Sequence, residues 1–253
     1  MFYCTALLLL AATADVFGHS VENVANVGII GGAPVPISEV PFMAALRLNR
    51  NYHWCGASIV HEQFVLTAAH CIVPNRKYTV AVGTDDIAKG VLYDVEKIIP
   101  HPRYSNTTND YDICLMKLSE EIKFGPNVSM IQLVDKNIKI RTGMVFNATG
   151  WGLTTPGGDV SSELRQVSVP FVKRRECQRY YGIKNHITMR MLCAGEPGKD
   201  TCRADSGGPL VWNNVQVGIT SFGGGCGNGP AIYTKISVLE PWIRHTINRN
   251  VIF

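Results

Sequence analysis

Phe64-Val65-Leu66-Thr67-Ala68-Ala69-His70-Cys71 reads as a short apolar strand, 64–67, with a histidine beside a cysteine at its end. Segments of the same kind recur at 42–48, 78–82, 91–99, 113–118, 164–172, 215–222 and 232–235. They are rich in β-branched and aromatic residues and are divided by Gly, Pro and Asn. Many short strands with such breaks predict an all-β barrel or sandwich. One helix is predicted, near the end of the chain. Ser237 offers a cap, Pro241 sits in the first turn, and Leu239, Trp242, Ile243 and Ile247 form a stripe at helical period. The polar stretch 135–142 has no apolar face and reads as a connection between two halves.

Composition agrees. The 253 residues are 46% hydrophobic and 17% charged, which suits an ordered globular protein and excludes a disordered one. The one long apolar run, Leu7-Leu8-Leu9-Leu10-Ala11-Ala12, is too short to span a bilayer. The small residues of Ala12-Thr13-Ala14 follow it, so residues 1–14 read as a secretory signal peptide and the remainder as an extracellular protein with no membrane partner. The formal net charge is +4. Positive residues are scattered apart from Lys173-Arg174-Arg175, which reads as a solvated loop, so nucleic acid is not an expected partner.

Export makes the cysteines interpretable. Of eight, Cys4 lies in the leader, which leaves Cys55, Cys71, Cys114, Cys177, Cys193, Cys202 and Cys226. Three bridges would use six of them. No paired CxxC spacing suggests zinc, and His61-Glu62 lacks the second histidine of a metal-binding helix.

Two further motifs join the His70 strand. Asp110-Tyr111-Asp112-Ile113-Cys114-Leu115 puts an acid at the head of an apolar strand, and Asp205-Ser206-Gly207-Gly208-Pro209-Leu210 sets a serine in a tight glycine-rich turn. In the order His, Asp, Ser, with Ile29-Ile30-Gly31-Gly32, Cys55-Gly56-Ala57-Ser58, Gly150-Trp151-Gly152, Thr220-Ser221-Phe222-Gly223 and Ile232-Tyr233-Thr234-Lys235, they resemble the chymotrypsin–trypsin family of serine proteases. The resemblance runs from Ile29 to about Asn248.

That resemblance implies two antiparallel six-stranded β-barrels with the active site in the cleft between them, followed by a C-terminal α-helix. The protease domain would be 29–253, with one barrel at about 29–135, the other at about 142–236 and the helix at about 238–249. Residues 15–28 would be a propeptide. His70 would be the general base, Asp112 its partner and Ser206 the nucleophile, with Ser221 steadying Asp112. The implied oxyanion donors are the N–H groups of Ala204 and Ser206, and Ala204 departs from the family's glycine. Asp200 would floor the primary pocket and select Arg or Lys, with Thr201, Ser221, Phe222 and Gly223 around it. Ala231 also replaces a family glycine and would narrow the passage above Asp200. The implied bridges are Cys55–Cys71, Cys177–Cys193 and Cys202–Cys226, with Cys114 a buried thiol. Ile29 would be the N-terminus created by activation, its ammonium pairing with Asp205, although Asn26-Val27-Gly28 lacks the Lys or Arg that trypsin-type zymogens carry there.

A protein or peptide substrate is therefore expected, with a protein inhibitor as a further partner and a monomer as the working form. No cofactor or metal is expected. Trypsins of this family often bind calcium in the loop equivalent to 83–90, which here is short and poor in oxygen ligands. Asn106, Asn127 and Asn147 open acceptor sequons, with Asn147 inside a predicted strand. Chymotrypsin-like or narrower specificity stays open. So does a non-catalytic homologue acting as a binding partner, against which the intact His70, Asp112 and Ser206 argue.

Overall fold

The computed structural model describes residues 29–153, 157–183 and 185–251. The expected signal peptide and propeptide lie outside them. In chain order the strands are β1 (Ala33–Pro34), β2 (Met43–Leu48), β3 (Tyr52–His61), β4 (Phe64–Thr67), β5 (Tyr78–Val82), β6 (Val91–Pro100), β7 (Cys114–Leu118), β8 (Gln132–Leu133), β9 (Val145–Gly150), β10 (Arg165–Val172), β11 (Met191–Ala194), β12 (Pro209–Trp212), β13 (Val215–Phe222) and β14 (Ala231–Lys235). Helix α1 covers Arg174–Tyr181 and α2 covers Ile236–Asn250.

Strands β2-β3-β4-β7-β6-β5 close into one antiparallel barrel. The second closes as β9-β10-β11-β14-β13-β12, with β9 pairing both β10 and β12. Two short strands of the N-terminal half join this second sheet: β1 pairs β10, and β8 lies parallel to β13.

Side-chain alternation explains why β2 is buried on both faces. Ala44 and Leu46 enter the main core, whereas Met43 and Ala45 join a second cluster with Trp151, Leu164 and Val211 of the other barrel. Strand β3 is not marked in the sequence, because its centre, Cys55-Gly56-Ala57-Ser58, is a glycine among small residues with none of the β-branched side chains that signal a strand. Gly56 within it shows why a side chain is excluded there. A Cβ at that position would stand 2.8 Å from the Gly208 Cα, where the two barrels touch.

The Lys173-Arg174-Arg175 triplet is corrected from a loop to the start of α1, a short helix that stops at Gly182 with φ 66°. Helix α2 begins two residues earlier than expected. Ser237 therefore lies inside it with no side-chain cap at its start, and Pro241 falls in the second turn. All three implied bridges are present, and among the described residues Cys114 is the one free cysteine. Burial pushes the Cys114 thiol up to about 12, which keeps it an inert core group. Each bridge should contribute roughly 2–4 kcal/mol by restricting the unfolded chain.

An internal cation holds the 83–90 loop. Arg47 of β2 is only 5% exposed, and its Nη2 donates to the carbonyl of Ile87 at 2.6 Å and to that of Lys89. Burial opposes its charge, and nearby Asp86 supports it.

Candidate active site

His70 sits on a single 3-10 turn, Ala69–Cys71, directly after β4. The Cys55–Cys71 bridge anchors that turn to β3, and the Trp54 indole N–H donates to the Cys71 carbonyl at 2.8 Å. Asp112, fully buried, lies just before β7. Its Oδ1 accepts the His70 backbone N–H at 2.8 Å, and its Oδ2 lies 2.7 Å from His70 Nδ1. An acceptor carboxylate at Nδ1 places the imidazole hydrogen there and leaves Nε2 with its lone pair. Ser221 Oγ donates to Asp112 Oδ2 at 2.5 Å, and Thr234 Oγ1 donates to the Asp112 carbonyl at 2.7 Å. Both hydroxyls come from the second barrel.

The Ser206 turn meets this pair from the opposite side of the cleft. Gly56 N donates to the Ser206 carbonyl at 2.8 Å, and Gly207 N to the Thr220 carbonyl at 2.8 Å. Gly207 has φ 81°, and a Cβ on it would stand 2.1 Å from Thr67 Oγ1, so only glycine lets the serine turn approach the end of β4. Among the described residues no hydrogen bond links Ser206 Oγ to His70, and the N–H groups of Ala204 and Ser206 have no acceptor. Catalytic contacts of this type often tighten only once substrate is bound.

Ala204 adopts φ +71°, a region that costs an L-residue roughly 1–2 kcal/mol. Its carbonyl is tied to His53 Nε2 at 3.1 Å. Burial, with Arg47 nearby, drives the His53 pKa down to about 4, so the ring is neutral and donates from Nε2. His53 was not singled out in the sequence. A histidine inside an apolar strand carries no signal of a contact 151 positions away.

Asp200 and Ser206 line one cleft together with Thr201, Ser221, Phe222 and Gly223. The bridged pair Cys202 and Cys226 also lines it, as do Arg203, Thr220 and Gly225, which the sequence does not mark as lining. Asp200 is 1% exposed; its Oδ2 accepts from Gly227 N at 3.1 Å, while its Oδ1 has no partner among the described residues. Burial pushes this carboxyl up to about 7. Ala231 is not part of the lining. It is buried behind Gly223, where a Cβ would stand 4.0 Å from the Ala231 methyl. Tyr181 also supports this wall, packing edge-on against Phe222 and donating to the Pro230 carbonyl at 2.7 Å.

Asp205 is wholly inside. Its Oδ1 accepts from Gly152 N at 2.7 Å and its Oδ2 from Cys202 N at 2.9 Å, yet burial still pushes it up to about 7. Gly150 and Gly152 leave it room, since a Cβ on either would stand 2.2 Å from a carboxylate oxygen. Ile29 is also buried, and Asp200 N donates to the carbonyl of the next residue, Ile30, at 3.1 Å. Cys55, His70 and Cys71 are the only three groups of metal-ligand type that converge among the described residues, and the two sulfurs are bonded to each other. They cannot serve as a metal centre.

A buried carboxylate orienting an imidazole, a serine on a tight turn and two free N–H groups together can transfer a proton and hold a developing oxyanion. The profile of the family described as Trypsin matches residues 29–243. Trypsin 5G1 of Aedes aegypti is 37% identical over 222 residues, covering 85% of this chain and 84% of the relative. The vitellin-degrading protease of Bombyx mori is 36% identical over 254 residues, covering 98% and 94%. Among solved structures, neuropsin, a serine protease expressed in the limbic system of mouse brain, superposes with a TM-score of 0.79 at 33% identity. That match covers 86% of this chain and 99% of neuropsin.

Proposed function

Because the chain belongs to the trypsin family of serine proteases and is a serine endopeptidase acting on protein substrates, we propose that it cleaves after Arg or Lys through an acyl-enzyme on Ser206. The observation that carries this specificity is the unpartnered, buried Asp200 Oδ1 in the cleft that also holds Ser206. A substrate guanidinium or ammonium would supply its missing partner, whereas an apolar side chain would leave it unpaired.

In the reaction His70 Nε2 takes the Ser206 proton as Oγ bonds to the scissile carbonyl carbon. The resulting oxyanion faces the N–H groups of Ala204 and Ser206. His70 then passes the proton to the leaving amine as the C–N bond breaks, and water repeats the sequence to free the acid. Asp112 stabilises the positive imidazole throughout. Phe222-Gly223 presents an edge on which substrate backbone adds as a strand.

The same reading assigns residues 1–14 to a signal peptide and 15–28 to a propeptide, with the working enzyme a secreted monomer. A cut before Ile29 frees an ammonium that would pair with Asp205, whose buried carboxyl otherwise holds its proton up to about pH 7. Gly28 points to an activating protease without trypsin's specificity. The test uses the processed chain, its Ile29 N-terminus confirmed by mass. A serine phosphonate should label Ser206, and a peptide library should show cuts after Arg and Lys. Efficient cleavage after Phe, Tyr or Leu would sink the specificity, and absence of labelling would sink the mechanism.

A further inference from the structure

Asp112 is reached through a backbone that has no reason of its own to be there. Asn109 has φ 52° and Tyr111 has φ 56°, both left-handed. Asn tolerates this region, but a bulky aromatic residue does not adopt it unless its surroundings impose it. Tyr111 is bonded directly to Asp112, so the direction in which that carboxylate leaves the chain depends on this strained turn.

The groups that impose it come together around Asp110 and the Tyr111 ring. Asp110 Oδ1 accepts from Arg190 Nε at 2.8 Å, from Thr188 Oγ1 at 3.0 Å and from the Tyr111 N–H at 3.1 Å. Asp110 Oδ2 accepts from Arg190 Nη2 at 2.5 Å, which makes the pair bidentate. The same guanidinium lies over the Tyr111 ring, 4.4 Å from its centroid. His101 stacks on that ring at 4.5 Å, and Arg103 Nη1 donates to the phenol oxygen at 3.2 Å. Arg190 belongs to the second barrel. It directly precedes β11, and its carbonyl accepts from Lys235 N at 2.8 Å, at the end of β14.

We propose that Arg190 is a positioning residue, which clamps the left-handed Asp110–Tyr111 turn from across the barrel interface and so aims Asp112 at His70. This rests on the reading of Asp112 as the partner of His70. The clamp needs a planar fork and a flat face at once, to grip both carboxylate oxygens and to cover the ring, and lysine offers neither. It adds to Ser221 and Thr234, which hold Asp112 itself. Arg190 acts two residues earlier, on the turn.

The experiment measures kcat and KM on a small peptide substrate, the rate of phosphonate labelling and the melting temperature, all in the processed enzyme. Arg190→Gln should lower kcat and labelling by about 10²-fold, as expected for a group misplaced by the order of 1 Å, with KM within about threefold of the parent. Arg190→Lys should recover less than about a tenth of the lost rate. Asn accepts the left-handed φ, so in a Tyr111→Asn background the same Arg190→Gln change should cost less than about tenfold, a coupling that a merely structural ion pair would not show. If Arg190→Gln does not fold, Asp110→Asn carries the same comparison. A folded Arg190→Gln enzyme with unchanged kcat, a loss confined to KM, or an equal loss in the Tyr111→Asn background overturns the clamp. A parent enzyme that phosphonate does not label overturns the reading of the site itself.

Discussion

Replacing Asp200 with serine separates what the buried carboxylate costs the fold from what it does for the substrate. Burial moves its pKa from an ordinary 3.8 to about 7. Between these values the folded chain binds more protons than the unfolded one, so this group makes stability fall as pH rises from about 4 to about 7. A shift of that size amounts to ~4 kcal/mol at 1.36 kcal/mol per decade, and at 1% exposure solvent screening removes little of it. In a Ser206→Ala background, chosen to prevent self-cleavage, Asp200→Ser should therefore raise the unfolding free energy by about 2–4 kcal/mol near pH 8. Near pH 4 the gain should vanish. Urea titrations at the two pH values measure this, and a small amidinium ligand supplies the complement. At about one hundred times its Kd it should stabilise the parent by about 2.7 kcal/mol and leave the variant unaffected. In the active enzyme the same substitution should abolish cleavage after Arg and Lys. A variant no more stable than its parent near pH 8, or one whose gain ignores pH, would refute the reasoning.

His53 has the opposite sign. Its pKa drops from 6.5 to about 4 on folding, so its contribution is complete above about pH 6.5 and is lost as pH falls toward 4; His53→Gln should flatten that limb of a melting-temperature profile. Ala204→Gly should relieve roughly 1–2 kcal/mol of strain, offset in part by the entropy of glycine, and raise kcat severalfold while tightening bulky protein inhibitors. If neither changes, Ala204 is innocent. Asn106 and Asn127 are exposed in loops, whereas Asn147 lies in β9 and accepts from Ser168 Oγ at 2.9 Å; intact mass before and after glycosidase should show two glycans at most, none on Asn147. Arg47→Met, which keeps the stem and deletes two charge-assisted bonds to the 83–90 loop, should cost about 2–4 kcal/mol in urea titration. A chelator should not move the melting temperature of the parent.

Segments dense in β-branched and aromatic residues between turn residues could be read from the chain as strands. Strands β5 and β13 stand at their expected bounds, and β4 ends as expected just before His70, because β-branched and aromatic residues with flanking turns mark them although both of their faces are buried. Strand β3 and helix α1 could not be read. The glycine and small residues at its centre hide β3, and α1 presents mostly charged residues to solvent with Cys177 as its one buried side chain. The candidate site divides in the same way. His70, Asp112, Ser206 and Asp200 lie in short contiguous motifs whose resemblance to the family implies their roles. His53, Tyr181 and Arg190 act through contacts with residues far away in sequence, and no neighbour in the chain announces them. The left-handed φ of Tyr111 is likewise set by tertiary contacts, against its own preference.

The guanidinium of Arg47 beneath the 83–90 loop has a consequence for how the fold meets its surroundings. A bound ion follows mass action, so a loop that relies on one loosens when the ion is diluted or captured by a competitor. Arg47 is attached to β2 by its own side chain, and its occupancy is fixed at one for as long as the barrel is closed. The carbonyls of Ile87 and Lys89 thereby keep this cationic partner whatever the mineral content of the fluid the protein enters.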